Sequence, residues 1–247
     1  MIVQKFGGIA MRDAASREVC IQHIKEGLAK YKSVLVVVSA MGRHGDPYST
    51  DTLIRLTDAF QIAPESKDVA AICGELLASS VLSAECLKQQ IPCQLAYGIQ
   101  AGIYTDDHFG DASIIKTSKK VIEELLQHVP CVIVPGFQGI TTDHRFTTLG
   151  RGGSDLTAIV LASLFEAEAV EFYKDVPGVM SGDPKNNENV YKLSKVSYQM
   201  LQKLCETAKH PLIQKKAVDM AAKHHIPLHI RPFGSSEEGT WINSHVH

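Results

Sequence analysis

Three segments of the chain combine residue types that suit anion chemistry. Lys5, Gly7 and Gly8 stand at the exit of the strand-like run MIVQKF. Glycines there let the backbone approach a polyphosphate, and a lysine adds a compact point charge. By itself Lys-Phe-Gly-Gly suits a tight turn equally well. It is not a Walker A loop, because the GxxxxGK[ST] spacing is absent. Gly150-Arg151-Gly152-Gly153-Ser154-Asp155 precedes a helical pattern. Arg151 offers a bidentate fork for a carboxylate, while free N–H groups and Ser154 bind the same anion or cap the helix. A plain N-cap by Ser154 or Asp155, with Arg151 in solvent, would not need a glycine pair beside the arginine. The run DVPGVMSGDP (175–184) is a long turn that could wrap a base and ribose, with Asp175 near phosphates or metal; a structural turn explains Gly178 and Asp183-Pro184 equally well. Glu75, inside the apolar ICGELLAS, is a carboxylate that requires a partner. A structural ion pair and a substrate ammonium are both open to it.

Short apolar runs alternating with helical periods predict a largely parallel sheet covered by helices. Strands are expected at IVQKF (2–6), SVLVVVSA (33–40), PCQLAY (92–97), PCVIVPG (130–136), AVEFYKD (169–175) and PLHIRP (227–232), with an edge strand near TWI. Helices are expected at 12–31, with Ala15, Val19, Ile24 and Leu28 near one face, and at 49–60, 68–89, 112–128, 154–166, 196–207 and 213–224. The near-continuous apolar AAICGELLASSVLSAECL predicts burial on most sides. In such sheets ligands sit beyond the carboxyl ends of the strands, and five strand exits carry the glycine-rich and polar segments.

The bulk properties narrow the classes. With 247 residues, 45% hydrophobic, 21% charged and a formal charge of −2, the chain fits one large α/β domain and gives no reason to expect nucleic acid or an anionic membrane as partner. The six cysteines are scattered without a CxxC pair and read as buried reduced thiols. No basic leader is visible and no apolar run approaches the ~20 residues of a membrane span, so a cytoplasmic location is expected. His245 and His247 read as tail rather than metal ligands.

Seven blocks in this order, KFGG (5–8), VVVSAMG (36–42), Thr50-Asp51, GEL (74–76), PGFQG (135–139), GRGGSD (150–155) and DVPGVMSGDP (175–184), resemble those of the aspartate kinase catalytic domain, within the amino acid kinase family. The spacing of SAMGRHGDPYSTDTL is especially similar to the enzymes of spore-forming Gram-positive bacteria. The resemblance covers essentially the whole chain. It implies a three-layer α/β/α sandwich with a mainly parallel sheet: a single domain over 1–247, with a substrate and phosphate lobe at about 1–136 and a nucleotide lobe at about 137–247. It implies transfer of the γ-phosphoryl of Mg-ATP to the side-chain carboxylate of L-aspartate, giving 4-phospho-L-aspartate. The attacking carboxylate is already ionised at neutral pH, so catalysis is positioning plus charge stabilisation.

Carried over by position, Lys5 neutralises the transferring phosphoryl and Asp155 orients Lys5. Phe6, Gly7, Gly8 and Ser39 line the phosphate side. Lys174, Asp175, Lys209 and the loop of Met180, Ser181, Gly182, Asp183, Pro184 and Lys185 occupy the nucleotide position. Thr50, Glu75, Arg151, Gly152, Gly153 and Ser154 hold aspartate, with Glu75 on the α-ammonium and Arg151 on a carboxylate. Mg2+ travels with the nucleotide, with no direct side-chain ligand, and a homodimer is possible.

Four departures from the family pattern matter. Ile9-Ala10 replace Thr-Ser, removing two hydroxyls, and a lost transition-state contact of ~3 kcal/mol is worth ~100-fold in rate. Tyr173-Lys174-Asp175 replaces Tyr-Thr-Asp. TAKHPLIQKKAVDMA (207–221) departs from Gly-Ala-Lys-x-x-His-Pro: Lys209 matches the nucleotide-contacting lysine only with an insertion, and otherwise Pro211 takes that position with Lys215 or Lys216 nearest. The sequence stops at His247, where relatives usually continue into paired ACT domains, so feedback by that route is not expected unless another chain supplies it. The leading reading is an aspartate kinase. The alternatives are a degenerate paralogue that binds ligand or a partner without significant catalysis, and a kinase for another small carboxylate.

Overall fold

The computed structural model describes residues 1–57, 64–182, 190–208 and 211–244. The chain opens with β1 (Ile2–Phe6), a single turn α1 (Gly8–Met11), α2 (Ala14–Lys30) and β2 (Val34–Val38), the predicted β-α-β unit. Both strands are buried along their whole length, as befits continuous apolar runs in a parallel sheet. Helix α2 is capped by the Asp13 carboxylate, which accepts from the Ser16 N–H. Its buried face is Arg17, Cys20, Ile21, His23, Ile24 and Gly27; of the predicted stripe Ala15 is exposed and only Ile24 is fully buried. Arg17 sets this phase by reaching across to Glu85 at 2.8 Å.

Helix α3 (Thr50–Arg55), capped by Ser49, ends earlier than predicted, and residues 58–60 of the expected helix lie outside the described residues. Helix α4 (Pro64–Lys88) packs on the sheet through one face, while Val69, Cys73, Leu77 and Leu87 remain exposed, so the expected burial on most sides is corrected. The apolar run is continuous in sequence, but only one stripe of a helix can meet the sheet. By length and composition α4 could cross a membrane, yet half of its most apolar window is buried inside the fold. Cys73 is the exposed exception among the six thiols.

Next come β3 (Cys93–Leu95), β4 (Ile103–Thr105), β5 (Ile114–Thr117), α5 (Lys120–Leu125), β6 (Cys131–Pro135), β7 (Gln138–Ile140) and β8 (Phe146–Thr148). The helix predicted over 112–128 is therefore a strand followed by a short helix. Ile114 to Thr117 pair antiparallel with β4, and that non-local pairing overrides the local helical pattern. The chain closes with α6 (Gly153–Leu164), β9 (Val170–Lys174), β10 (Lys195–Ser197), α7 (Tyr198–Thr207), α8 (Lys215–Lys223), β11 (Leu228–Pro232) and β12 (Thr240–Asn243).

The central sheet has eight strands in the order β10-β12-β11-β9-β1-β2-β6-β3, parallel except that β11 and β12 are antiparallel. The predicted edge strand β12 lies inside the sheet, between β11 and β10. Helices α2 and α4 cover one face around Phe6, Ile21, Ile24, Val36 and Leu82, while α6, α7 and α8 cover the other around Leu35, Val37, Ile159, Phe172 and Ile230. These are the three expected layers. A second, four-stranded sheet, β5-β4-β7-β8, leans on α4 beyond the carboxyl end of β6.

Candidate active site

Strand β1 has β2 on one side and β9 on the other, with the earlier strands beyond β2 and the later ones beyond β9. The order of the sheet reverses there, which opens a crevice at the carboxyl ends of β1 and β9. Lys5 is the penultimate residue of β1 and Lys174 the last of β9. Period-two alternation sends Lys5, Phe172 and Lys174 to the α6 face, and Phe6 and Tyr173 to the α2 face, where their rings stack at 4.9 Å. Asp155, in the first turn of α6, meets both lysines. Lys5 Nζ lies 2.6 Å from Oδ1, a contact better described as an ion pair than as an aligned hydrogen bond, and Lys174 Nζ donates to Oδ2 at 3.1 Å. Burial works to raise the Asp155 pKa, but the Lys174 and Lys5 ammonium groups outweigh it and hold the carboxyl below its usual value.

A cavity of about 460 Å3 opens on one side of this cluster. Lys5, Ser39, Thr50, Glu75, Arg151, Gly152, Gly153, Ser154 and Asp155 all line it, so residues spread over 150 positions of sequence meet at one cavity. Gly152 caps α6 with φ +77°, and a Cβ there would stand 2.3 Å from Gln214 Cγ, so no other residue fits without strain. The cap is thus glycine, and the plain capping role weighed for Ser154 and Asp155 is not what they do. Arg151 is exposed and forms no ion pair among the described residues. Glu75 is 2% exposed; the Thr50 hydroxyl donates to its Oε1 at 3.3 Å, and its Oε2 has no partner. Burial raises its pKa to about 8, against the Ala40 N–H, its own N–H, the Thr50 hydroxyl and the Lys5 charge.

A smaller cavity of about 220 Å3 lies on the other side, lined by Lys5, Gly7, Gly8, Ile9, Ala10, Ser39, Lys174 and Asp175. Lys5 and Ser39 line both cavities. Gly8 is also a packing requirement, since a Cβ there would fall 2.1 Å from the Gly42 carbonyl. Ala10 is 3% exposed and joins the core with Phe6, Met11 and Cys20, so position 10 serves packing as well as the cavity wall.

Other predicted residues lie elsewhere. Phe6 is corrected from phosphate-side residue to core, with its side chain 0% exposed. Met180, Ser181 and Gly182 line neither cavity; Met180 bridges to Lys192, and Ser181 exchanges hydrogen bonds with Tyr191. Asp183, Pro184, Lys185 and Lys209, like His245 and His247, lie outside the described residues. Lys215 pairs with Asp219 and Lys216 with Asp111, and neither lines a cavity.

Three contributors escaped the sequence reading. Arg43 lines the smaller cavity and bonds Asp175 at 2.9 Å; a cation in the polar loop after a strand was its signal. Asp68, buried in α4, accepts from Thr148 N–H at 2.7 Å, Thr148 Oγ1 at 3.1 Å and Gly110 N–H at 3.0 Å, fixing the roof of the larger cavity. Phe137 holds φ +70° at the cavity wall, an uncommon conformation for an aromatic residue, retained by hydrogen bonds through both its N–H and its carbonyl.

Known proteins share both the sequence and the fold. Aspartokinase 1 of Bacillus subtilis (strain 168) is 38% identical over 248 residues, covering 99% of this chain and 61% of that protein. Aspartokinase 2 of the same organism is 36% identical over 98% of this chain and 58% of its own length, so the chain spans about three fifths of these relatives. Aspartate kinase from Synechocystis superposes with a TM-score of 0.82 at 33% identity, over 99% of this chain and 40% of that one. E. coli aspartokinase III, solved with aspartate and ADP, superposes with a TM-score of 0.81 over 100% of this chain and 65% of that one; at 19% identity it speaks for the fold alone. The sequence profile of the amino acid kinase family matches residues 1–232, and the chain belongs to that family.

Proposed function

We propose that this chain transfers the γ-phosphoryl group of Mg-ATP to the side-chain carboxylate of L-aspartate, giving 4-phospho-L-aspartate and ADP. The observation that carries this reading is Glu75: a buried carboxylate with an unpartnered oxygen, facing a cavity that also contains Arg151 and Lys5. An α-ammonium on Glu75 and Thr50 and a carboxylate on Arg151 leave the substrate's other carboxylate for Lys5. Gly152, Gly153 and Ser154 close the anion side. Lys5 stands between the two cavities, which makes it the natural point of transfer, with the nucleotide phosphates in the smaller one against Gly7 and Gly8.

The acceptor carboxylate is ionised at neutral pH and needs no base. The work left to the protein is to align the carboxylate with the phosphorus and to hold positive charge where negative charge gathers. Asp155 keeps Lys5 in place. Mg2+ enters with the nucleotide; among the described residues no group of three or more His, Cys, Asp or Glu is placed to hold a metal. The reading includes one domain, with 1–136 as substrate and phosphate lobe and 137–247 as nucleotide lobe, and a homodimer as its assembly. The relatives named aspartokinase support the phosphotransfer to aspartate.

An acceptor panel tests the substrate. ADP release with L-aspartate should exceed that with glutamate, N-acetylglutamate or carbamate by at least about 100-fold in kcat/KM, because an ammonium that is displaced, as in glutamate, or missing, as in the other two, leaves Glu75 unpaired. Equal or greater release with another acceptor would assign the cavity to that carboxylate instead.

A further inference from the structure

The smaller cavity and its rim contain more positive charge than its carboxylates balance. Lys5, Lys174 and Arg43 line it; the carboxylates in contact with them are Asp155 and Asp175. Arg43 and Asp175 satisfy each other at 2.9 Å. Two ammonium groups, with side chains 7% and 16% exposed, are left to share the single carboxylate of Asp155. A structural ion pair would be complete with Lys5 alone. Removing a second ammonium from water beside the first is unfavourable unless an anion joins them. Burial lowers the Lys174 pKa, Asp155 opposes that, and the Lys5 charge adds to the lowering, as expected of a cation short of counter-charge. Ile9 and Ala10, which also line the smaller cavity, present no side-chain donor to an anion.

We propose that Lys174 is a second phosphoryl-binding cation, paired with Lys5 across Asp155 and facing the terminal phosphates of the nucleotide. The inference rests on the phosphotransfer reading of the two cavities and extends it to a named division of labour. Lys5 reaches both cavities, whereas Lys174 lines only the smaller one. Asp155 bridges the pair, and the arriving polyphosphate supplies the negative charge that the cluster lacks. Lys174 therefore acts on the donor, and its loss leaves the acceptor side untouched.

The test uses Lys174→Met, Lys174→Thr and Lys174→Arg in the full chain. Calorimetry with Mg-ATP and with inorganic tripolyphosphate should show binding ~30-fold weaker in the Met and Thr variants and within ~3-fold of wild type in Arg, the scale of one charge-assisted contact. In steady state the kcat/KM for Mg-ATP should fall ~100-fold while the KM for aspartate stays within ~2-fold. Thermal melts confirm that each variant is folded, and the Thr variant serves if Met fails to fold. Unchanged affinity for both polyphosphate probes in a folded Met or Thr variant would overturn the proposal and reduce Lys174 to a structural partner of Asp155. If wild-type protein does not phosphorylate aspartate, the function above fails, while the polyphosphate titrations still decide the role of Lys174.

Discussion

Lys5→Met is expected to lower turnover at saturating Mg-ATP and aspartate by about 1,000-fold and to leave the protein folded, the upper range for removal of one preorganised charge-stabilising group. Lys5 is 5% exposed and lines both cavities, so its ammonium can follow negative charge as it passes from donor to acceptor. Ser39 shares that position but carries no charge. The variant should fold because Asp155 keeps Lys174 at 3.1 Å and is not left as an unpaired buried anion. Methionine fills the space of the lost stem without a polar end. Rapid-quench or steady-state rates, read beside a thermal melt, check both halves. A fall below about tenfold in a folded variant would move the point of transfer away from β1.

Glu75→Gln should raise the KM for aspartate by about 100-fold with little change in kcat, since the ammonium contact is the same in ground and transition states. The pH dependence is specific. With its pKa raised from 4.5 to about 8 by burial, Glu75 is expected to hold its proton near pH 7 until aspartate binds. Binding an ammonium requires the carboxylate, so aspartate must expel that proton. Affinity should therefore rise between about pH 6 and pH 8 and level off above. Calorimetry near pH 7 in buffers of different ionisation enthalpy should show close to one proton released per aspartate in wild type, and none in the variant. In the absence of ligand, the protonated Glu75 contributes stability that is fully present below pH 4.5 and is lost as pH rises through about 8, a trend the Gln variant should lack. Proton uptake, or none, on aspartate binding to wild type would place the ammonium elsewhere.

What was legible in the sequence followed from local chemistry. The apolar runs of β1, β2, β6, β9 and β11 announced a parallel sheet, and the glycines beside Lys5 and Arg151 marked turns that the structure places along the two cavities. The small sheet was not legible, because Ile103–Thr105, Gln138–Ile140 and Phe146–Thr148 are three residues each, too short for a period, and take their conformation from distant partners. The phase of α2 was misread for a related reason: Arg17 looks like a surface residue until Glu85 of α4 is brought beside it. In the site, Glu75 could be recognised as needing a partner, but not which one. Lys174 stood out only as a replacement for the family's threonine; its contact with Asp155, nineteen residues earlier, exists only in the folded chain. Ile9 and Ala10 looked like two lost hydroxyls, whereas Ala10 also packs in the core.

The most direct test is capture of the product. Protein, Mg-ATP and L-aspartate are incubated with hydroxylamine, which converts an acyl phosphate to a hydroxamate, and ADP is measured in the same samples. Phosphotransfer to the side-chain carboxylate predicts hydroxamate equal to ADP, proportional to protein, and reduced about 1,000-fold in Lys5→Met. Hydroxamate no greater than in the Lys5→Met sample would contradict it and leave a ligand-binding relative without significant catalysis.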